Sequence, residues 1–505
     1  MGVNTKKPHQ ADIGLILEGT YPYVRGGVSS WIHQIIQGLP EFTFAINFIG
    51  DKAESYSTMH YQLPENVIDL KCIYLVSEEN IKKPKACAGN KEAFIQVQKM
   101  HDDFRSNKTS NYQALGNLLR HIHQYKDLDI NDFLYSEQSW SFITEQYEKS
   151  TADSSFIDYF WTIRAMHQPV FALIDGLDEA VDAKIFHTIS TGYAGLYGVM
   201  LHHLYQKKLM LTEHGIYTKE RKIDLSQADW IEEARKIFGD TLNSDFSYLR
   251  RLWIRFFESL GRTVYHTADP IISISEGNKR RQIIDGAKAE KIFVIANGIN
   301  LEKLQPQRIK RPKKLPLVIG FIGRVVPIKD VKTFIRAMSN VCSAMPEVQA
   351  WIIGGEDEDP AYALECRDMI ASLHLTDKII YKGFCNVVEI LPQLGCLALS
   401  SISEGVPLVI LEAFACGIPV ISTDVGACRE LIEGGSKEDI ALGSAGAVVS
   451  IADSEQLAIE IIKLLSDASY WKQLSMIAEQ RADKYFGEQA LFSSYRKVYR
   501  AVLES

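Results

Sequence analysis

Two doubly wound α/β domains are what this sequence predicts, and three observations carry the prediction. Short apolar runs alternate with helical stretches through the second half, and the same alternation opens the first half. A length of 505 residues also exceeds what one hydrophobic core usually serves. Strands separated by helices of about 10–15 residues make βαβ units and a parallel sheet.

The second half gives the clearer series. "LVIGFIGRV" reads as a strand and "DVKTFIRAMSNVC" as its helix. The pairs "VQAWIIGGE" with "PAYALECRDMIASL", "KIIYKGF" with "NVVEILPQL", "CLALSS" with "PLVILEAFACG", and "PVIST" with "ACRELIE" follow, and a domain over 317–485 is expected. The first domain, over 1–304, opens with "DIGLILEG" and "GGVSSWIHQIIQGL" and resumes with "AKIFHTIST", "GYAGLYGVMLHHLYQ", "KLMLTEHG", "PIISISEGNKRRQIID" and "KIFVIANGIN". Between about 77 and 180 the text turns polar, then aromatic and helical ("FLYSEQSWSFITEQYEKS", "SFIDYFWTIRAM"), which predicts a largely helical elaboration of that domain. The basic, proline-containing "QPQRIKRPKKLP" at 305–316 reads as a linker, and 486–505 as a last helix.

Composition excludes several classes. With 46% hydrophobic and 23% charged residues the chain is ordinary for a soluble globular protein. A net charge of −8 argues against a nucleic-acid face, which would be basic. The short clusters Lys279–Arg281 and Arg308–Lys314 read as a solvated helix face and part of the linker. "MGVNTKKPHQAD" runs straight into "IGLILEG" with no secretory signal, and no stretch reaches the ~18 apolar residues of a membrane span. The eight cysteines (Cys72, Cys87, Cys342, Cys366, Cys385, Cys396, Cys416, Cys428) form no CxxC pair, the pattern of buried, reduced thiols in a cytoplasmic protein.

In doubly wound sheets ligands sit at the carboxyl ends of the strands, and a cleft between two such domains is the default site. Gly26-Gly27 lies between a strand and a helix, where it either lets an anion approach the helix N-terminus or simply makes a tight turn. No GxGxxG is present, which weakens a nicotinamide or flavin reading. His214 ends the run "LMLTEHG", where a histidine is either structural or directed into the cleft. His202 and His203 are adjacent on a helix and cannot easily share a ligand, and His121-x-His123 lacks companions at metal spacing. Arg324 ends a strand and Lys329 begins a helix, so two cations and helix-end N–H groups converge where a diphosphate would bind. Asp357-x-Asp359 matches the metal–nucleotide pattern of another transferase fold, but here it follows a strand and Gly-Gly ahead of a helix and reads as a solvated loop that begins that helix.

The pair Glu404 and Glu412 is more specific. Pro407 reads as the first residue of a helix, Gly417 as its stop, with Pro419 beyond. Apart from Glu412 that helix is apolar all round, hence buried, and a buried carboxylate needs compensation. A carboxylate accepting two hydroxyl hydrogen bonds is a natural ribose clamp. Glu404, one loop earlier, would face the group beyond the phosphates. Together with Arg324 and Lys329 this constellation describes a nucleotide-sugar site.

These residues resemble the retaining GT-B glycosyltransferases of family 4. The resemblance rests on "GGV" at 26–28, "EHG" at 213–215, "NGIN" at 297–300, "GR" at 323–324 with Lys329, and the E-x7-E of Glu404 and Glu412 in "EGVPLVILEAFACGIPVI". It covers the second half and the βα framework of the first, while the 77–180 elaboration departs from it. It implies a GT-B fold whose two Rossmann-like domains face a cleft, an acceptor-side first domain, and a last helix crossing back to it. Glu404, His214, Arg324 and Lys329 would then be catalytic: the two cations neutralise the leaving diphosphate, Glu404 binds donor sugar hydroxyls, and His214 contacts that sugar. Glu412 would hold the ribose, and Gly405, Val406, Leu408, Gly383, Phe384, Gly26, Gly27 and Asn297 would complete the donor site. No metal or other cofactor would be required. Within the family the chain is similar to cytoplasmic enzymes of exopolysaccharide assembly, which implies a UDP-sugar donor, a saccharide acceptor and association with inner-membrane synthase and export subunits. The rival readings are a GT-B-fold epimerase or phosphorylase, marked by turnover without acceptor, and a non-catalytic UDP-sugar-binding subunit, marked by binding without turnover.

Overall fold

Strands that are apolar along their whole length need cover on both faces, and each half of the chain supplies it with helices around a parallel sheet. The computed structural model describes residues 10–76, 86–106, 118–119, 122, 125–126, 128–150, 155–227 and 248–505. They fall into two units.

The first unit comprises the described residues up to Ser273, with Lys279–Val294 and Arg496–Ser505. Its strands are β1 (Ala11–Glu18), β2 (Phe44–Gly50), β3 (Val67–Tyr74), β4 (Ala183–Thr188), β5 (Lys208–Glu213), β6 (Ile271–Ser273) and β7 (Ile292–Val294). They lie in the order β3-β2-β1-β4-β5-β6-β7, all parallel, with Ile13 opposite both Phe44 and Ile185. Every residue of β2 is buried, and the helix Tyr193–Tyr205 is buried from Tyr193 through Leu201, consistent with its apolar circumference. Between β3 and β4 stand the helices Lys91–Ser106, Ile130–Tyr135, Glu137–Ser150 and Phe156–Asp175, packed through Phe94, Phe133, Phe142 and Phe171. The final helix is Glu488–Glu504, and its residues from Arg496 onward count with this unit. There Tyr499 packs 5.6 Å from the Phe42 ring and places its hydroxyl 2.8 Å from His187 Nδ1.

The second unit comprises Ile274–Asn278 and Ile295–Tyr495. Its strands β8 (Val318–Ile322), β9 (Gln349–Ile353), β10 (Ile379–Gly383), β11 (Cys396–Leu399), β12 (Val420–Thr423) and β13 (Gly446–Val449) run in the order β10-β9-β8-β11-β12-β13. That is the Rossmann order, in which the chain reverses direction between β8 and β11. Arg481 is fully buried and held by Asp439 and by the carbonyls of Ile432 and Gly443.

One expectation needs correction and another gains detail. The 305–316 stretch, read as a linker, is pinned by two of its arginines: Arg308 forks onto Asp483 and donates to the Ala415 carbonyl, and Arg311 lies over Trp471 and donates to the Gly417 carbonyl. Guanidinium groups bind planar acceptors in this way, so a basic, proline-containing run docks rather than floats. Of the cysteines, Cys366, Cys396, Cys416 and Cys428 are buried, but Cys87 is exposed and Cys72, Cys342 and Cys385 are half-buried; all eight are free thiols. Among the described residues no helix is long and apolar enough to cross a membrane.

Candidate functional site

In the second unit the neighbours β8 and β11 mark the topological switch, and the loops leaving them carry the predicted charges. Lys329 sits in the turn Pro327–Lys329, with Nζ 2.5 Å from Glu404 Oε1. Ser401 Oγ donates to the same oxygen at 2.6 Å. The two charged side chains are only 18% and 10% exposed, so this ion pair is poorly screened by water. Backbone bonds fix it: Ile402 N–H donates to the Ile328 carbonyl at 2.8 Å and Ser400 Oγ to the Asp330 carbonyl at 2.8 Å. Gly426, at φ +54°, supports the loop from below; a Cβ there would lie 2.2 Å from the Glu404 carbonyl oxygen.

The helix-start picture around Lys329 is corrected. The helix Val331–Ala344 begins after it, and Asp330 at φ +44° caps it by accepting from Thr333 N–H at 3.2 Å. One N–H expected to meet a phosphate is therefore already engaged. Arg324 lies just past β8, not in it, and pairs with Glu358 at 2.5 Å, each side chain 52% exposed. So exposed a pair is screened and gives way easily to a ligand. Asp359 caps the helix Pro360–Ser372 through Tyr362 N–H. Gly383 ends β10 at φ +62° and leads into Phe384, whose side chain stands exposed; the Gly383 carbonyl accepts from Gly354 N–H at 2.9 Å. Gly354 in turn presses on Gly323, where a Cβ would come within 2.0 Å of the carbonyl oxygen. Gly323, Gly354 and Gly383 thus form a row of bare backbone across three adjacent strand ends.

Glu412 lies on the helix Leu408–Ala415, for which Pro407 is the N-cap rather than the first turn, and Gly417 follows at φ +71°. The residue is half-buried, and the burial it has pushes its pKa up to about 7 against a weaker opposing pull from Lys303. Among the described residues it makes no hydrogen bond or ion pair. The compensating partner expected of it is not supplied by the described residues. Gly405, Val406 and Leu408 line the approach between the two glutamates in sequence and are each half-buried. Asn297 is buried with its Oδ1 lacking a hydrogen bond among the described residues, and the rest of its motif is tied to the junction of the last two helices by Ile299 N–H to the Phe486 carbonyl and Glu488 N–H to the Ile299 carbonyl.

In the first unit the switch lies between β1 and β4. Gly27 begins the helix Gly27–Gly38, Gly26 caps it in an extended conformation, and no side chain occupies that N-terminus. His214 follows β5, nearly buried, its ring 4.4 Å from Trp31, and burial lowers its pKa to about 3, so it is neutral. It lines a cavity of about 560 Å³ at the strand ends. The wall opposite is one the sequence reading did not single out. Glu18 accepts from Tyr217 Oη at 3.1 Å and from Ala194 N–H at 3.1 Å, and Arg221 Nε donates to that same phenol oxygen at 3.1 Å. "ILEG" at the end of the first strand was the available signal. His202 Nδ1 bonds the Lys207 carbonyl at 2.8 Å, a local role, and His121 and His123 lie outside the described residues.

A family model described as a domain of unknown function, DUF3492, matches residues 11–290, and one described as glycosyl transferases group 1 matches residues 316–467. The capsular polysaccharide biosynthesis glycosyltransferase CapM of Staphylococcus aureus is 26% identical over 255 residues, which cover 47% of this chain and 63% of that protein. This chain spans less than two thirds of the length of the curated relatives it matches first. HepE of Anabaena, solved with UDP-glucose, superposes with a TM-score of 0.57 at 16% identity over 97% of this chain and 99% of its own. Sucrose-phosphate synthase of Thermosynechococcus elongatus gives 0.59 at 15% identity over 98% and 99%. At such identities the likeness is one of fold, and the fold is GT-B.

Proposed function

Because this chain belongs to the DUF3492 family and carries a group 1 glycosyltransferase domain of GT-B fold, we propose that it is a retaining glycosyltransferase of exopolysaccharide synthesis. It moves a hexosyl or N-acetylhexosaminyl unit from a UDP-sugar to a growing polymer of the Pel type, at the cytoplasmic face of the membrane and in association with synthase and export subunits. Glu412 carries this reading: a half-buried carboxyl with a raised pKa and no partner among the described residues, on the helix that follows a Lys–Glu pair at a topological switch. Ribose hydroxyls would supply the missing donors. The diphosphate would draw Lys329 from Glu404 and Arg324 from Glu358, leaving Glu404 to the sugar hydroxyls. That HepE was solved with UDP-glucose supports this donor class. The first unit's cavity, with Glu18, Asp51 and Glu220 beside Tyr56 and Tyr193, suits a hydroxyl-rich acceptor.

Incubation with a panel of UDP-sugars, following UDP release and product mass with and without oligosaccharide acceptors, tests the reading. Acceptor-dependent transfer from one sugar is expected; epimerisation, or binding without turnover, would replace the reading with a rival. Two cations stand where a metal would otherwise neutralise the leaving group, so transfer is expected to persist in EDTA. Full loss in EDTA, restored by magnesium, would bring Asp357 and Asp359 back as ligands.

A further inference from the structure

The pinned stretch over 305–316, in the second unit, sorts its side chains by direction. Its first part, Gln305–Lys310, is a 3₁₀ helix, in which side chains three apart eclipse. Gln305, Arg308 and the cap Arg311 make such a row, and all three bind inward. Gln305 Nε2 donates to Asp483 Oδ1 at 2.8 Å, Arg308 forks onto the same carboxylate, and Arg311 donates to Ser475 Oγ at 3.1 Å with its charge 4.5 Å over the Trp471 ring. Trp471, Ser475 and Asp483 belong to one row of the helix Ala468–Tyr485, four residues to the step, so the stretch lies along that row as a strap.

What is left of the strap faces away from the protein. Pro306 and Ile309, again three apart, are exposed, and Ile309 at 90% is more so than any other large apolar side chain among the described residues. Lys310, Lys313 and Lys314 are exposed as well, and none of them has a hydrogen bond or ion pair among the described residues. The arginines thus anchor with their planar forks while the lysines present compact charge to solvent. From Lys303 through Lys329 the sequence has no Asp or Glu, in a chain of net charge −8. The next row of the supporting helix, Lys472, Met476 and Gln480, is exposed throughout and widens the surface. Lys484, which follows, already feels Glu438 and adds little.

An acidic chain would engage the lysines and leave Ile309 in water, and a purely apolar partner would bury the lysines at a cost. A bilayer surface takes both, with anionic headgroups for the ammonium groups and the acyl boundary beneath them for a short apolar side chain. Lysine stems are long enough to keep their charge among the headgroups while Ile309 goes deeper. We infer that this strap is the surface by which the chain rests on a membrane, Ile309 entering the headgroup–acyl boundary and Lys310, Lys313 and Lys314 binding anionic phospholipid. The inference rests on the reading above only in taking a membrane as the place of transfer.

The test is co-sedimentation of the full chain with phosphatidylcholine vesicles, with and without one third phosphatidylglycerol. Binding is expected to the anionic vesicles and should weaken with added salt. The triple variant Lys310→Gln/Lys313→Gln/Lys314→Gln alters exposed side chains only and should melt as wild type, yet bind roughly a hundredfold more weakly. Ile309→Ser should lose roughly tenfold. Lys279→Gln/Arg280→Gln, in the other basic cluster, should bind as wild type. Equal binding to neutral vesicles, wild-type binding by the folded triple variant, or loss confined to the Lys279 and Arg280 variant overturns the inference. Ile309→Ser indistinguishable from wild type also overturns it, in favour of a polyanion. Vesicle binding without sugar transfer removes the reading above and leaves this one standing; transfer without vesicle binding does the reverse.

Discussion

Each unit buries a carboxylate beside its strand ends, and the two are provided for in opposite ways. Glu213, at the end of β5, is fully buried and accepts from Thr191 Oγ1 at 3.0 Å, Tyr265 Oη at 2.6 Å, Gln282 Nε2 at 2.9 Å and Tyr217 N–H at 3.2 Å. Burial raises its pKa while those four donors pull it back. Glu412 is only half-buried, yet burial raises its pKa too, and among the described residues it has no donor. A buried carboxylate saturated by protein is scaffold, since nothing is left for a ligand to offer it. One that is enclosed yet unsaturated is costly to the free protein, and that cost is relieved when a ligand brings hydroxyls. Glu213 therefore positions the turn that carries His214, and Glu412 awaits a partner.

The largest effect should come from the saturated site. Glu213→Leu strands four donors in a dry environment and should cost about 3–5 kcal/mol of stability, read by chemical denaturation. Glu213→Gln keeps one acceptor oxygen and should lose less. If Leu were tolerated without loss, the scaffold role would be wrong. Next is Glu404, which in the proposed reaction leaves Lys329 for the sugar hydroxyls. Glu404→Gln should lower kcat by roughly 30- to 1000-fold, about 2–4 kcal/mol, with a smaller change in donor KM. A folded variant turning over at the wild-type rate would remove Glu404 from the sugar's surroundings.

The contrast also separates what the sequence displays from what it hides. Alternating strands and helices made most of both sheets legible, because buried parallel strands must be apolar throughout and their connecting helices amphipathic. But β2, β3 and β13 were not read, and β3, half-exposed and carrying Asp69 and Lys71, lacks that pattern. Glu404 and Glu412 were legible because a carboxylate stands out in an apolar helix and its partner sits at a strand end. The Lys329–Glu404 contact was not, since 75 residues separate its ends and only the β8–β11 adjacency closes it. Glu358 as the partner of Arg324 was hidden likewise, in a loop read only for its aspartates. The saturation of Glu213 draws on three separate stretches of chain, so "TEHG" gave no hint that its glutamate was scaffold. The docking of Arg308 and Arg311 was hidden because composition marks a linker without saying which of its side chains are held.

A third effect tests whether the ion pair at the second site is a resting arrangement that a ligand displaces. Lys329→Ala would remove the proposed charge-assisted contact to the diphosphate, worth about 1.5–3 kcal/mol, so calorimetry should show UDP affinity falling roughly 10- to 150-fold. Arg324→Ala should do less, because its exposed charge is already screened. Unchanged affinity in Lys329→Ala would sink the phosphate assignment and leave Lys329 as a structural counter-ion to Glu404.

The smallest effect concerns pH and bears on Glu412 most directly. Its folded pKa is raised to about 7, so between roughly pH 4.5 and 7 the native state holds a proton that the unfolded chain has released. Stability must then fall as pH rises through that window, the full penalty being present above pH 7. Because the residue keeps some contact with solvent, the penalty should be about 1–2 kcal/mol rather than the whole shift. Glu412→Gln should match wild type near pH 4.5 and exceed it by that amount at pH 8. UDP binding should move the opposite way, since ribose hydroxyls donate to the ionised carboxyl. Wild-type affinity should tighten between pH 6 and 8, and the variant should keep only the share that belongs to the titration of the UDP phosphate, with donor KM raised more than kcat is lowered. Equal pH profiles for the two proteins, in both stability and UDP affinity, would mean that Glu412 is no less satisfied than Glu213 and that the nucleotide lies elsewhere.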